Sequence, residues 1–227
     1  MRFKDVFSII GPDMIGPSSS HTAGAVRIGR VARQLFASQP KQVEICLYRS
    51  FADTYLGHGT DVALAAGLLG WDASYDRIPE AIAVAEQQGM ELNYISKSGN
   101  VPHPNTVTLT MVSDDLQMRV TGTSIGGGSI EIVEIDEFDV RFSGECQTVA
   151  VWHEDRVGML AEFTNLFSRE RINIGSMDVD RKGRNGKALT IIEVDGSINQ
   201  ELIDAIATIE GVACIRKVDL GEGGEVS

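Results

Sequence analysis

The sequence predicts an α+β protein: an N-terminal mixed α/β domain with a largely antiparallel sheet, followed by a ferredoxin-like βαββαβ domain. Three observations predict it. Up to residue 89, apolar residues recur mostly at helical spacing, and from Met90 they recur at every second position. Past residue 147 the order becomes strand, helix, strand, strand, helix, strand within about 75 residues, the order of a ferredoxin-like unit. A chain of 227 residues is also long enough for two ordinary domains.

Each element has a local reason. In 25–36, Ile28, Val31, Ala32, Leu35 and Phe36 share one helical face, with Arg27, Arg30, Arg33 and Gln34 around the rest. Val43, Ile45 and Leu47 alternate with Glu44, Cys46 and Tyr48, which is strand period. The small-residue run 62–69 follows Thr60 and Asp61 and reads as a tightly packed helix ending at Gly70. Pro79-Glu80 opens another helix, with Gly89 as its stop. Strands are expected at 90–96, 105–113, 116–125 and 129–136, with turns at Ser98-Gly99-Asn100, Asp114-Asp115 and Gly126-Gly127-Gly128. Ser143-Gly144-Glu145 interrupts the pattern, so the first domain is expected over 1–143 and the second over 148–220. In the second, strands are expected at 148–152, 173–181, 188–195 and 212–219, and helices at 157–169 and 200–209. Asp155 and Asn199 are the natural caps of those two helices. The stretch 221–227 is polar and reads as a flexible tail.

Composition narrows the function. At 43% hydrophobic residues the chain can bury proper cores. A formal net charge of −12, from 32 acidic and 20 basic residues, disfavours nucleic acid and anionic membranes. The one basic run, Arg181-Lys182-Gly183-Arg184, reads as a solvated hairpin tip. Met1-Arg2-Phe3-Lys4-Asp5 has no apolar signal region, and no apolar run approaches about 18 residues. A soluble, cytoplasmic protein is expected. Cys46, Cys146 and Cys214 are widely separated, with no C-x-x-C pair. Cys46 and Cys214 stand in strand-like apolar runs, where a free buried thiol is usual. No metal site is expected in this chain alone.

Four short motifs stand out. Gly16-Pro17-Ser18-Ser19-Ser20-His21-Thr22-Ala23-Gly24 sets four hydroxyls and an imidazole directly before an amphipathic helix. This is either a richly supplied helix cap or a loop that grips a small anion, since a helix N-terminus offers free N–H groups and partial positive charge. In Gly57-His58-Gly59-Thr60-Asp61, the flanking glycines let the imidazole project from a sharp turn. His58 is then either a loop residue orienting the helix cap or a general acid–base group, its ordinary pKa lying in the useful range. His103 stands between Pro102 and Pro104, as a surface turn or as a second active-site imidazole. Gly126-Gly127-Gly128 is a tight turn or bulge, or an N–H nest for an anion. Asp61 serves the first helical turn or a substrate ammonium. A hydrolase built on Ser20 with His21 is disfavoured, because adjacent residues at a helix start rarely face each other.

The second domain resembles an ACT domain, an amino-acid-sensing regulatory module. The matching residues are Asp155-Arg156-Val157-Gly158-Met159-Leu160 and Ile172-Asn173-Ile174. The resemblance implies effector binding near Asp155, Val157, Gly158, Met159 and Asn173, and pairing of such domains. Oligomerisation alone is the other reading.

The first domain resembles the beta subunit of bacterial iron–sulfur-dependent L-serine dehydratase. Ile10-Gly11-Pro12, the Ser18-to-Thr22 motif, Gly57-His58-Gly59-Thr60-Asp61, His103-Pro104-Asn105 and Ser124-Ile125-Gly126-Gly127-Gly128 carry that resemblance, in this order. It implies a lyase subunit that helps convert L-serine to pyruvate and ammonia. It implies substrate contacts from Ser18, Ser19, Ser20, His21, Thr22, Asp61, Gly126, Gly127 and Gly128, with His21 a source of positive charge. It implies His58 and His103 as catalytic candidates. It further implies a 4Fe–4S cluster held by a separate alpha subunit, without which this chain is inactive. The competing resemblance is to the intervening and ACT domains of some D-3-phosphoglycerate dehydrogenases, which would make the chain a purely regulatory anion- or amino-acid-binding module.

Overall fold

The computed structural model describes residues 13–183 and 186–221. Ile10-Gly11-Pro12, Arg184 and the tail from residue 222 lie outside the described residues. The chain divides into two compact units between Asp136 and Glu137.

Among the described residues, the first element of the first unit is a π-helical turn, Ser19–Ala23, that runs directly into helix α1, Gly24–Phe36. The apolar stripe of α1 is buried as its spacing requires, with Ile28, Val31, Ala32 and Leu35 fully covered. Strand β1 (Gln42–Tyr48) buries Val43, Ile45 and Leu47 on the helix-facing side. It pairs in parallel with β2 (Glu91–Lys97) and antiparallel with β3 (Thr106–Val112). A parallel pair needs a crossover. Helices α2 (Arg49–Thr54), α3 (Thr60–Leu68) and α4 (Ala81–Gln87), with a 3₁₀ turn at Ile78–Glu80, supply it. Strands β4 (Gln117–Gly126) and β5 (Ser129–Ile135) continue the unit's order as β2-β1-β3-β4-β5. Among the described strands of this unit only the β1–β2 pair is parallel, so the sheet is largely antiparallel, as expected.

Helix α1 lies against β4, where Gly122 admits Ile28: a Cβ there would sit 2.8 Å from Ile28 Cγ2. Helices α1 and α3 approach still more closely. A Cβ on Gly67 would fall 2.2 Å from the Val26 carbonyl oxygen. The small-residue run in α3 therefore lets two backbones meet, the C-terminal end of α3 against the first half of α1.

The second unit carries β6 (Phe138–Phe142), β7 (Gln147–Glu154), α5 (Met159–Arg169), β8 (Ile174–Arg181), β9 (Lys187–Val194), α6 (Gln200–Ala207) and β10 (Val212–Val218). From β7 onward this is the βαββαβ order, with the sheet running β10-β7-β9-β8. Val149, Val151, Phe163, Phe167, Ile192 and Ile206 form the core between sheet and helices. Asn199 caps α6 by accepting a hydrogen bond from Leu202 N–H at 2.8 Å. Asp155 does not cap α5. The cap position is Gly158 at φ 89°, and Asp155 pairs with Arg181 at 3.2 Å instead.

Two elements were not foreseen from the sequence. Helix α2 follows β1 with no spacer and starts at Arg49, a non-glycine residue with φ 46°. Strand β6 follows β5 after a tight turn at Asp136 (φ 53°), where no glycine announces it. Among the described residues no helix is long and apolar enough to cross a membrane.

Candidate functional site

The π-turn is the centre of the site. Ser18, in extended backbone, caps it by accepting the His21 N–H at 3.4 Å. The Gly24 N–H reaches back five residues to the Ser19 carbonyl, which makes the turn wider than an α-helical one. Two glycines make room for it. A Cβ on Gly16 would lie 2.3 Å from Thr22 Oγ1, and one on Gly24 would lie 2.2 Å from Ser124 Oγ. The turn packs against both α3 and β4.

His21 points inward and is 7% exposed. Its Nδ1 lies 3.1 Å from Ser20 Oγ and 3.3 Å from Ser18 Oγ, and its Nε2 lies 3.3 Å from Ser50 Oγ. The His58 ring meets it edge-on with centroids 4.8 Å apart, and Phe51 does so at 5.3 Å. Burial first, then the neighbouring His58, push the His21 pKa below its ordinary value, opposed by a hydrogen bond from the ring to the Ser50 backbone. The expected positive charge on His21 is therefore disfavoured. A neutral ring with both nitrogens engaged organises the serines around it.

That depression carries a sign for stability. Between the lowered folded value and the unfolded value of about 6.5, the unfolded chain binds more protons, so stability falls as pH drops through this window. A His21→Gln chain should show a flatter loss of urea midpoint between pH 7.5 and 5.5 than the parent chain. Equal slopes would refute the burial cost assigned to His21.

His58 is exposed in the turn leading to α3. The turn is tied by His58 N–H to the Thr54 carbonyl and Thr60 N–H to the Tyr55 carbonyl, each at 2.9 Å. Of its two flanking glycines only Gly59, at φ 66°, requires glycine, and it starts the helix. Among the described residues neither ring nitrogen of His58 has a hydrogen-bond partner, so both are available to a substrate. Asp61 sits half-buried in the first turn of α3, and burial raises its pKa. Its backbone carbonyl accepts the Tyr94 hydroxyl at 2.9 Å, and among the described residues its carboxylate pairs with no cation.

His103 is held locally. Its Nδ1 accepts the Asn105 N–H at 3.2 Å, and its carbonyl accepts the Thr106 hydroxyl at 2.6 Å. Asn105 is tied to Ser124, whose N–H donates to the Asn105 carbonyl at 2.9 Å. Ser124 in turn lies against Gly24, which joins the His103 loop to the π-turn. Among the described residues His103 makes no ring contact or hydrogen bond with His21 or His58. Gly126, Gly127 and Gly128 have φ of 105°, 62° and 84°. Gly127 and Gly128 are the central pair of the β4–β5 hairpin, as a tight turn needs, next to a bulge between Ser124 and Gly126. Arg27 of α1 donates to the Gly128 carbonyl at 3.3 Å. The serine turn thus touches the His58 turn directly, is joined to the His103 loop through Asn105 and Ser124, and is linked to the glycine hairpin through Arg27 of α1. Three hydroxyls around the turn, Thr22 Oγ1, Thr60 Oγ1 and Ser124 Oγ, are buried with no partner among the described residues.

In the second unit Val157 is fully exposed, Gly158 takes positive φ, and Asn173 pairs with Asp195. Met159 is 1% exposed and belongs to the core, so its side chain is not part of a ligand surface. Arg156 is engaged by Glu162 and by the Glu210 carbonyl. The sequence did not point to Ser50 or Phe51, which act through contacts between distant segments. It also missed His153, buried with Nε2 2.7 Å from Thr190 Oγ1.

The cysteines do not form a cluster site. Cys46 is buried on β1, Cys146 is exposed, and Cys214 is half-buried rather than buried as its strand pattern suggested. Among the described residues no three His, Cys, Asp or Glu side chains are grouped to hold a metal ion.

Residues 3–93 match the serine dehydratase beta chain family, and residues 148–211 match the ACT domain family. The chain is 44% identical over 218 residues to a probable L-serine dehydratase, beta chain, of Bacillus subtilis (strain 168), covering 96% of this chain and 99% of that protein. It is 35% identical over 224 residues to the L-serine dehydratase, beta chain, of Peptoniphilus asaccharolyticus, covering 97% and 100%. A D-3-phosphoglycerate dehydrogenase of Bacillus subtilis (strain 168) is 23% identical over 137 residues, which is 60% of this chain and 26% of that protein.

Proposed function

Because the chain belongs to the L-serine dehydratase beta chain family, we propose that the end of the first unit is one wall of an L-serine site completed by an alpha subunit. The observation that carries this reading is the His21–His58 pair. A buried imidazole whose charge is disfavoured anchors the serine turn, and an exposed imidazole with both nitrogens unbonded among the described residues stands edge-on to it.

Each residue then has a task. Ser18, Ser19 and Ser20 present hydroxyls at a helix start, which suits the substrate carboxylate, and Thr22 ties the turn behind them by donating its N–H to the Ser18 carbonyl. His21 holds that turn in shape without adding charge. The desolvated Asp61 carboxylate suits the substrate ammonium, whose charge would lower its raised pKa again. His58 takes the Cα proton as general base, since it is exposed and unbound. His103, with Nδ1 accepting from Asn105, carries its proton on Nε2 and orients the substrate or the leaving hydroxyl. Gly126, Gly127 and Gly128 close the hairpin beside this wall.

The 4Fe–4S cluster belongs to the alpha subunit in this reading, and no step here runs through it. The first domain, over 1–143, supplies the wall. The second, over 148–220, is the ACT domain, which pairs with a second copy or binds an effector near Asp155, Val157, Gly158 and Asn173. Its outer strands β8 and β10 offer the edges for pairing. Anaerobic assays of pyruvate formation from L-serine should show turnover for the pair of subunits and none for this chain alone. Full turnover by the isolated chain overturns the proposal. A purely regulatory module predicts instead that the alpha subunit turns over serine without this chain.

A further inference from the structure

Ser50 belongs to no motif of the sequence, yet among the described residues it is the one side chain that hydrogen-bonds to Nε2 of the His21 ring. Its Oγ lies 3.3 Å from His21 Nε2, opposite the side occupied by Ser18 and Ser20. The backbone that brings it there is unusual. Arg49, the residue before it, is held at φ 46°, a left-handed conformation that favours glycine. Such a conformation in a non-glycine residue persists only where the surroundings impose it, and it clusters at functional sites. The sharp exit from β1 into α2 sets both Ser50 and Phe51 against one imidazole.

The hydrogen-bond directions follow. Ser18 Oγ already accepts the His21 N–H, so its own proton is free for Nδ1 or for Ser20 Oγ at 3.3 Å. With that proton donated to Nδ1, the ring proton sits on Nε2 and faces Ser50. We propose that Ser50, by accepting the Nε2–H of His21, is a positioning residue that sets the tautomer and ring orientation of His21. It thereby sets the shape of the serine turn. This rests on the reading of that turn as the substrate carboxylate wall. Ser50 itself need not touch substrate.

The test uses two variants and two readouts. Imidazole ¹⁵N NMR of the full chain should show His21 in the Nε2–H form. In Ser50→Ala the His21 signals should move toward tautomer averaging, and in Ser50→Thr, which keeps the hydroxyl, they should stay. In the alpha–beta pair, Ser50→Ala should raise KM for L-serine roughly 5- to 10-fold with kcat little changed, and Ser50→Thr should restore it. His21 signals unchanged in Ser50→Ala overturn the proposal. Changed signals with unchanged serine kinetics also overturn it, because the ring would then not act on the site. The NMR arm needs no turnover, so a failed tautomer assignment is distinguishable from a failed reading of the site. Circular dichroism melts keep both variants interpretable: a folded Ser50→Ala chain with intact signals counts against the proposal.

Discussion

Replacing His58 by Ala in the alpha–beta pair should lower serine turnover by about 10²–10⁴-fold, the range for loss of a general acid–base group. The chain's melting temperature and its association with the alpha subunit should stay as they were. The structure explains why the two effects separate. His58 is exposed, its ring nitrogens are unbonded among the described residues, and its ring contact is the edge-on meeting with His21. Exposed side chains of this kind contribute within about 0.5 kcal/mol to stability. The turn that carries His58 is built from backbone hydrogen bonds and from Gly59, neither of which the substitution touches. His103→Ala in the same assay separates the two imidazoles. A larger loss at His103 than at His58 would transfer the role of base, and normal turnover in both would remove it from this chain.

Gly67→Ala should be among the most destabilising single-methyl changes in the first unit. The added Cβ would fall 2.2 Å from the Val26 carbonyl oxygen, 2.8 Å from Gly29 Cα and 2.9 Å from the Arg30 nitrogen. All three are backbone atoms of α1, so no side-chain rotation relieves the overlap. Alanine gains about 1 kcal/mol over glycine in a helix interior, which sets a floor the clash must exceed. Overpacking costs typically 1–3 kcal/mol and more where backbones must part, so a net loss of roughly 2 kcal/mol is expected. Urea unfolding would read this as a lower midpoint at unchanged slope. The functional consequence is coupled, because α1 carries His21 at its start and α3 carries His58 just before its own. Parting the helices should open the His21–His58 contact and raise KM for serine. A Gly67→Ala chain as stable as the parent would mean that the α1–α3 approach is not what holds the two imidazoles together.

Much of the architecture was legible in the chain because local rules and the global fold agree. The spacing of Ile28, Val31, Leu35 and Phe36 specifies the buried face of α1, and the alternation of Val43, Ile45 and Leu47 specifies that of β1. Asn199 caps α6 as its position before the apolar run requires. Where elements were missed, the usual punctuation is absent. Arg49 and Asp136 make left-handed turns without glycine, so neither α2 nor β6 announces itself. Asp155 was assigned a cap that Gly158 fills, because Arg181 on another strand claims its carboxylate.

The site divides along the same line. The residue types and their order along the chain singled out the serine turn, His58, His103 and the glycine hairpin as candidates for an amino-acid site. These are local groupings whose chemistry is written in adjacent positions. The tertiary structure decided how they act. It set the serine turn as a π-turn, because Gly16 and Gly24 let Thr22 and Ser124 press against it. It buried His21, where desolvation and the neighbouring His58 disfavour a charge on the ring. It also brought Ser50 to the far face of that ring. Protonation state, hydrogen-bond direction and burial depend on which distant segments become neighbours, and no local pattern of residues encodes that.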